Sequence, residues 1–171
     1  LRAHGITSSA LERERKEKPW IRAASFAGYN YRLCDVLSAI GVVQLRKIDR
    51  MNELRRKHAL YLNKHLDFEQ IKTPVELKEC KHVYQMYTIK LDNCIDRDAF
   101  VSKLNHEGIC ASVHFDPPVH LQPYYTNFKK GDLSVTEELS RRIVTLPMYP
   151  DLTQEELDYM VNCIKEVLKK L

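Results

Sequence analysis

Hydrophobic and polar positions along the chain predict an irregular start, a long helix, and then a compact unit of strands and helices. Apolar residues keep close to helical spacing from residue 35 to about residue 66, which predicts one helix of roughly 45 Å. Asp35 is expected to cap its N-terminus. A small domain does not need a helix of this length, so we expect it to connect two parts of a larger structure. Its apolar positions include Ile40, Val43, Ile48, Met51, Leu54, Tyr61, Leu62 and Leu66.

The next part of the chain alternates short strands with one short helix. Residues 68–73, 84–91 and 109–115 are predicted strands, and the second alternates apolar and polar positions with a period of two. Residues 96–107 form a predicted helix that turns Phe100 and Leu104 inward and ends at Gly108.

Two Ser/Thr-x-x-Glu pairs predict the starts of the last two helices. Ser134 and Glu137 would begin a short helix that the segment "VTLPMYP" ends, and Thr153 and Glu156 would begin the final one. The strands and helices alternate too irregularly for a doubly wound sheet. We therefore predict an α/β fold whose small domain is α+β, with a mainly antiparallel sheet and helices packed on one face. The final helix has an apolar stripe of Leu157, Met160, Val161, Ile164, Val167, Leu168 and Leu171.

Composition limits the class of protein without naming a function. The chain has 171 residues, 44% apolar and 29% charged, enough to bury a core, and no apolar run approaches the ~20 residues of a membrane span. Its net charge of +4 is too small to predict nucleic-acid binding. Five widely spaced cysteines without a C-x-x-C pair, and no signal peptide, favour the cytoplasm. The opening "LRAHGITSS" leads us to expect a piece of a longer polypeptide.

The segment "GYNYR" at residues 28–32 is the first candidate site. If it is extended, Asn30 and Arg32 share one face and Tyr29 and Tyr31 share the other. An amide beside a guanidinium suits a phosphate or carboxylate ligand. Alternatively, Arg32 pairs with Asp35 and Asn30 makes a turn. The residues alone favour this second interpretation, because such local pairings are common.

A second candidate site is the proline-containing loop "HFDPPVH". Its His114 and His120 could hydrogen-bond sugar hydroxyls or a diphosphate, or could equally contact backbone carbonyls of the loop. His106, Cys110 and His114 have a spacing that could suit zinc, but Gly108 should end the helix between them and no fourth ligand stands out. No metal site is therefore predicted.

The segment "GYNYRLCDVLSAIGVVQLRKID" resembles the signature of the pyridoxal-phosphate-dependent sugar aminotransferases, the DegT/DnrJ/StrS group. The opening "LRAHG" resembles the family's R-x-H-G turn, at Arg2, His4 and Gly5. "VHFDPPVHLQPYY" resembles its substrate loop, and "TLPMYPDLTQEELDYMVNCI" its closing segment. Cys34 stands where the family has Ser or Thr, and Ser38 where it usually has Ala. The matching signature positions are Gly28, Tyr29, Asn30, Tyr31, Arg32, Asp35, Ala39, Ile40, Gly41, Gln44 and Leu45.

The resemblance implies the C-terminal part of a fold type I enzyme. Residues 1–34 would be the end of the large domain and an active-site arm, residues 35–66 a long connecting helix, and residues 67–171 the small domain. The Schiff-base lysine is expected upstream, so no catalytic residue is predicted here and the chain alone should be inactive.

The resemblance also implies a substrate, a cofactor and a partner. The complete enzyme would be a cytoplasmic homodimer that uses pyridoxal 5′-phosphate to move an amino group from glutamate to a nucleotide-linked ketosugar, in amino sugar and polysaccharide biosynthesis. Asn30, with Arg32 in the same arm, would contact the cofactor phosphate of the neighbouring subunit. His120, and secondarily His114, would bind the nucleotide-sugar. Neither nucleic acid nor membrane is an expected partner.

One alternative belongs to a different class of protein. The chain could be a stand-alone binding or regulatory module, and basic residues along the long helix could contact DNA. Asp49 and Glu53 lie among those basic residues, so a solvated helix face is the simpler interpretation.

Overall fold

The computed structural model describes residues 3–18, 23–125, 127–128 and 131–171. The chain forms two compact units, Leu1–Lys47 and Ile48–Leu171, and each is described by itself. Arg2 of the predicted turn lies outside the described residues. The helices are α1 (Ala10–Glu14), α2 (Asp35–Leu45), α3 (Ile48–His65), α4 (Arg97–His106), α5 (Ser134–Ser140) and α6 (Gln154–Lys169). The strands are β1 (Ile71–Lys72), β2 (Tyr87–Leu91) and β3 (Ile143–Leu146), and two 3₁₀ turns span Val119–Leu121 and Pro123–Tyr125.

The prediction of a single helix over residues 35–66 is wrong. The segment holds two helices, α2 and α3, which are separated by a turn at Arg46 and Lys47. The backbone N–H of Lys47 donates to the carbonyl of Gln44, three residues earlier, so the hydrogen bonding tightens there to the 3₁₀ spacing. The sequence has no glycine or proline at this point, and spacing alone therefore did not predict the interruption.

Helix α2 in the first unit exposes its apolar side chains. None of its residues is buried, and Val36, Leu37 and Ile40 are each more than half exposed. The N-cap is Cys34 rather than the predicted Asp35, and it makes no side-chain capping bond. Asp35 lies instead in the first turn, where its negative charge favours the positive end of the helix dipole.

The sheet of the second unit is antiparallel, as predicted. The strand order is β1-β2-β3, with Ile71 opposite Leu91 and Ile89 opposite Val144. Strand β2 alternates buried and half-buried residues, which confirms its period of two. The predicted strand over residues 109–115 is reduced to one bridge, between Ser112 and Thr145. Strand β3 overlaps the segment "VTLPMYP", which was predicted only to end a helix.

The core of the second unit lies among this sheet and helices α3, α4 and α6. Phe100 and Leu104 are fully buried, as the helical spacing predicts. Helix α4 contacts β3 and α6, and α3 contacts α6. Within the part of the chain that the structure describes, no helix has the length and apolar character to cross a membrane. The largest fully buried side chains are Tyr84, Tyr87, Phe100, Leu62, Leu66, Ile89, Leu91, Leu104, Leu146, Ile164 and Val144.

Of the four α-helices described in this unit, α4 and α6 begin where the sequence signals predict. The carboxylate of Asp96 accepts from two backbone N–H groups at the start of α4, and Gly108 ends that segment with a φ of 81°. Thr153 and Glu156 form the predicted capping box of α6. The capping box predicted at Ser134 is wrong, because the N-cap is Leu133 and makes no side-chain capping bond.

A hydrogen bond from the Tyr61 hydroxyl to the Asp158 carboxylate joins α3 to α6. This bond, with a second one from Gln154, lowers the pKa of Asp158, and the bond to Asp158 raises the pKa of Tyr61. Because the pKa of Asp158 is lower in the folded state, the folded protein binds fewer protons than the unfolded chain in acid. The stabilisation that the ionised Asp158 carboxylate contributes is therefore present above about pH 4 and is lost as the pH falls through the folded-state pKa of Asp158. For Tyr61 the pKa is raised, so its stabilisation is present below about pH 10 and is lost as the pH rises.

We therefore expect Tyr61→Phe to lower the urea midpoint most between about pH 5 and 9, and the difference from wild type to shrink toward pH 3. Tyr159→Phe is the matched control, since the Tyr159 hydroxyl donates to the Glu107 carbonyl, which does not titrate. A Tyr61→Phe difference that stays constant from pH 7 to pH 3 would contradict this expectation.

Candidate functional site

The arm that contains "GYNYR" is held in the first unit by a close backbone contact between two glycines. The N–H of His4 donates to the carbonyl of Tyr29 at 2.9 Å, and Ala3 forms an antiparallel bridge with Asn30. Gly5 has a φ of 74°, which favours glycine, and a Cβ on Gly28 would collide with the backbone of Gly5. Both glycines of the predicted motifs therefore serve to bring these two backbone segments together.

The two tyrosine side chains of the arm lie on one face, as the predicted alternation requires. The rings of Tyr29 and Tyr31 stack with centroids 4.9 Å apart and an interplanar angle of 7°. They are 60% and 69% exposed, so they do not pack on an apolar surface among the residues that the structure describes. Asn30 and Arg32 alternate with them and are also exposed. The structure confirms the shared face of the tyrosines.

The arm leaves its polar groups free among the described residues. Arg32 makes no ion pair with Asp35 there, and neither the Asn30 nor the Arg32 side chain has a hydrogen-bond partner within that part of the chain. The structure thus does not contain the local pairing that the residues alone favour. A free amide and a guanidinium can both donate to phosphate oxygens, so this donor set fits an anionic group such as the phosphate of a cofactor.

The second unit brings both predicted histidines to one cavity of about 400 Å³. His114 is exposed and lies in the loop after Ser112, whose hydroxyl is 3.4 Å from its Nδ1. His120 is half-buried in a 3₁₀ turn, and its Nε2 is 3.2 Å from the Glu137 carboxylate. The cavity is also lined by Phe115, Pro118, Val119, Leu133, Thr136, Leu139, Ser140 and Ile143.

Three residues around this cavity were missed as site residues by the sequence analysis. Glu137 was interpreted as half of a capping box, but its carboxylate contacts His120. The guanidinium of Arg97, at the start of α4, donates to the Asp116 carboxylate at 2.6 Å and to the carbonyl of Ser140 at 3.0 Å. In the sequence, Arg97 and Asp116 resemble ordinary surface charges, so no local pattern could have identified them.

A larger cavity of about 690 Å³ beside α6 contains none of the predicted residues. Several of its polar side chains already have partners. The Tyr149 hydroxyl donates to Glu156, the Tyr159 hydroxyl donates to the Glu107 carbonyl, and Glu156 caps Thr153. This cavity is therefore a poorer candidate than the smaller one with the two histidines, although it is larger.

Comparison with known proteins identifies one family over most of the chain. The family described as the DegT/DnrJ/EryC1/StrS aminotransferases matches residues 1–165. A protein of Methanocaldococcus jannaschii is 33% identical over 177 residues, covering 99% of this chain and 46% of that protein. The pleiotropic regulatory protein of Geobacillus stearothermophilus is 35% identical over 144 residues, covering 81% of this chain and 38% of that protein. The spore coat polysaccharide biosynthesis protein SpsC of Bacillus subtilis is 26% identical, covering 99% of this chain and 45% of that protein.

A solved structure supports the same fold. Helicobacter pylori PseC, an aminotransferase involved in the biosynthesis of pseudoaminic acid, aligns with a TM-score of 0.85 at 22% identity. The alignment covers 99% of this chain and 44% of that protein. The predicted fold, a fold type I aminotransferase part with a small antiparallel sheet, is thereby confirmed. This chain spans less than half the length of each of these relatives.

Proposed function

The chain belongs to the DegT/DnrJ/EryC1/StrS aminotransferase family, and we propose that it is the C-terminal part of a sugar aminotransferase. Members of this family depend on pyridoxal 5′-phosphate. We further propose that the complete enzyme is a cytoplasmic homodimer that transfers the amino group of glutamate to a nucleotide-linked ketosugar. The Schiff-base lysine would lie in the part of the enzyme that precedes this chain, so the chain alone would be inactive. The division at residues 34/35 and 66/67 stays a prediction about the complete protein.

The observation that carries this proposal is the pair of free donors on the arm. Asn30 and Arg32 have no side-chain partner among the described residues, while the backbone around them is fixed by the contact between Gly5 and Gly28. Donors that are held in place but unpaired are suited to an anion supplied from elsewhere. Asn30, with Arg32 beside it, would bind the cofactor phosphate of the partner subunit. The bound cofactor would supply the electron sink for transamination.

The two histidines would bind the nucleotide-sugar. His120 contacts the Glu137 carboxylate through Nε2, which orients the ring and leaves Nδ1 for a substrate hydroxyl or phosphate. His114 lines the same cavity. The cavity of about 400 Å³ falls within the size range of small-molecule sites.

An absorption spectrum of the complete polypeptide tests this function. We expect the purified protein to absorb as a pyridoxal enzyme, glutamate to convert that spectrum to the pyridoxamine form, and a nucleotide-linked ketosugar to reverse the change. Alanine in place of glutamate is the control for the amino donor. A protein that binds no pyridoxal phosphate, or whose bound cofactor is unaffected by any amino acid, would contradict the proposal.

A second candidate, a regulatory module that contacts DNA, is favoured by the name of the Geobacillus relative alone. Helix α3 carries acidic as well as basic residues, and one of its arginines already has an acidic partner. The guanidinium of Arg56 donates to the Glu76 carboxylate and to the His82 carbonyl. Glu53, also on α3, pairs with Lys81, which lies outside the helix. A gel-shift titration at low salt separates the two candidates, because DNA binding through these residues would be strongest there.

A further inference from the structure

A buried arginine connects three segments around the histidine cavity. Arg97 is 9% exposed, and arginine side chains are rarely buried to this degree unless they have a charged partner. Its guanidinium donates to Asp116 in the loop between the two histidines and to the carbonyl of Ser140 at the end of α5. Its Nε lies 2.5 Å from the Asp98 carboxylate but makes no hydrogen bond there, and it is buried without another partner among the described residues.

Burying this charge costs free energy, so the contacts that it makes must offset the cost. Helix α4 itself does not need the guanidinium, because the Asp96 carboxylate already caps its first turn. Both hydrogen bonds of Arg97 lead away from α4, one to the loop and the other to α5. Their evident effect is to hold those two segments together at the edge of the cavity.

The loop has few other polar ties. Its beginning is fixed where Ser112 and Thr145 exchange two backbone hydrogen bonds, and its end enters the 3₁₀ turn after Pro118. Between these points, within the part of the chain that the structure describes, the contact from Arg97 to Asp116 is the only hydrogen bond from another element. The segment that it fixes runs directly between His114 and His120.

The second hydrogen bond of Arg97 reaches the helix that carries the partner of His120. Helix α5 carries Ser140, whose carbonyl accepts from Arg97, and Glu137 one turn earlier, whose carboxylate contacts His120. Fixing the end of α5 therefore fixes the group that orients the imidazole. One guanidinium thus acts on the loop through Asp116 and on His120 through α5.

We propose that Arg97 is a positioning residue, which fixes the loop of His114 and His120 for the nucleotide-sugar without contacting it. This inference rests on the proposed function, because it assigns that substrate to the histidine cavity. Loss of Arg97 should therefore affect the two half-reactions of the enzyme differently. It should impair the amination of the sugar and leave the conversion of the cofactor by glutamate unchanged.

The test measures both half-reactions of the complete dimeric enzyme by single-turnover kinetics. Arg97→Met is expected to lower kcat/KM for the nucleotide-sugar by roughly 10-fold to 100-fold, mainly through KM, since a displaced binding group costs about this much. kcat/KM for glutamate should change less than about twofold. Arg97→Lys should restore part of the loss, because it keeps the charge but not both directed hydrogen bonds.

Two further variants keep the test decisive if Arg97→Met folds poorly. Asp116→Asn removes the charge on the loop side, where the side chain is 47% exposed, and should show the same selective loss. Arg56→Met is the matched control, since Arg56 also joins one carboxylate and one backbone carbonyl in the second unit but lies away from the cavity. A simple loss of stability would lower both half-reactions equally, and the urea midpoint of each variant measures it.

His120→Gln distinguishes failure of this inference from failure of the proposed function. If His120→Gln impairs the sugar half-reaction while Arg97→Met and Asp116→Asn do not, Arg97 has no positioning role and the proposed function stands. If His120→Gln leaves the sugar half-reaction unchanged, the assignment of the substrate to this cavity is wrong, and the inference falls with it. Equal losses in both half-reactions for Arg97→Met and Asp116→Asn would also overturn the positioning role.

Discussion

Replacing Phe100 with alanine is expected to lower the free energy of unfolding of the second unit by about 3–5 kcal/mol. The Phe100 side chain is fully buried, and α4, which carries it, packs against both β3 and α6. Truncation would leave a cavity where these elements meet, because interiors are close-packed and collapse only in part. Total stabilities of domains are about 5–15 kcal/mol, so this one change could remove much of the stability.

Equilibrium unfolding in urea, followed by far-UV circular dichroism, measures the loss. Phe115→Ala is the control, since the Phe115 ring is 67% exposed, and we expect it to change the free energy of unfolding by less than about 0.5 kcal/mol. Equal effects of the two substitutions would mean that α4 does not pack in the core as the structure has it.

The sequence correctly predicted the elements in which local signals, such as capping residues and apolar spacing, match the side chains that the fold buries. Helices α4 and α6 begin at their capping residues and bury most of the apolar positions that their spacing indicates, although Leu171 is exposed, and β2 alternates as its pattern does. Strand β3 was missed because three of its four residues are buried, which leaves no alternation to detect. The turn at Arg46 and Lys47 was missed because no helix-breaking residue marks it.

The candidate site was predictable where its residues follow one another in the chain. The alternation of Tyr29, Asn30, Tyr31 and Arg32 needs only an extended backbone, and the structure has the stacked tyrosines on one face. Contacts between distant segments were beyond such reasoning. Nothing in the sequence pairs Arg97 with Asp116, because only the packing of α4 beside the loop brings these two charges together.

Asn30→Ala is expected to weaken the binding of pyridoxal phosphate to the complete enzyme by about 10-fold to 100-fold. A hydrogen bond to a charged group contributes about 1.5–3 kcal/mol, which corresponds to this range of affinity. The substitution should leave the fold intact, because the Asn30 side chain is exposed and makes no hydrogen bond among the described residues.

The measurement is a titration of cofactor-free enzyme with pyridoxal phosphate, followed by the absorbance of the bound form. Asn93→Ala is the matched control, since Asn93 is an exposed asparagine of the second unit that lies outside both candidate sites. We expect its dissociation constant to equal that of wild type. A wild-type dissociation constant for Asn30→Ala would remove Asn30 from the cofactor site.

The most direct test of the central proposal, that the arm serves the cofactor of the partner subunit, is the activity of mixed dimers. Asn30→Ala subunits are mixed with subunits that lack the Schiff-base lysine, at a cofactor concentration that saturates wild type but not Asn30→Ala. If the arm acts across the dimer, each mixed dimer contains one intact site, and activity should recover to roughly a quarter of wild type, as random pairing of subunits predicts. Activity that stays at the average of the two parent variants would show that the arm does not act on the partner's cofactor.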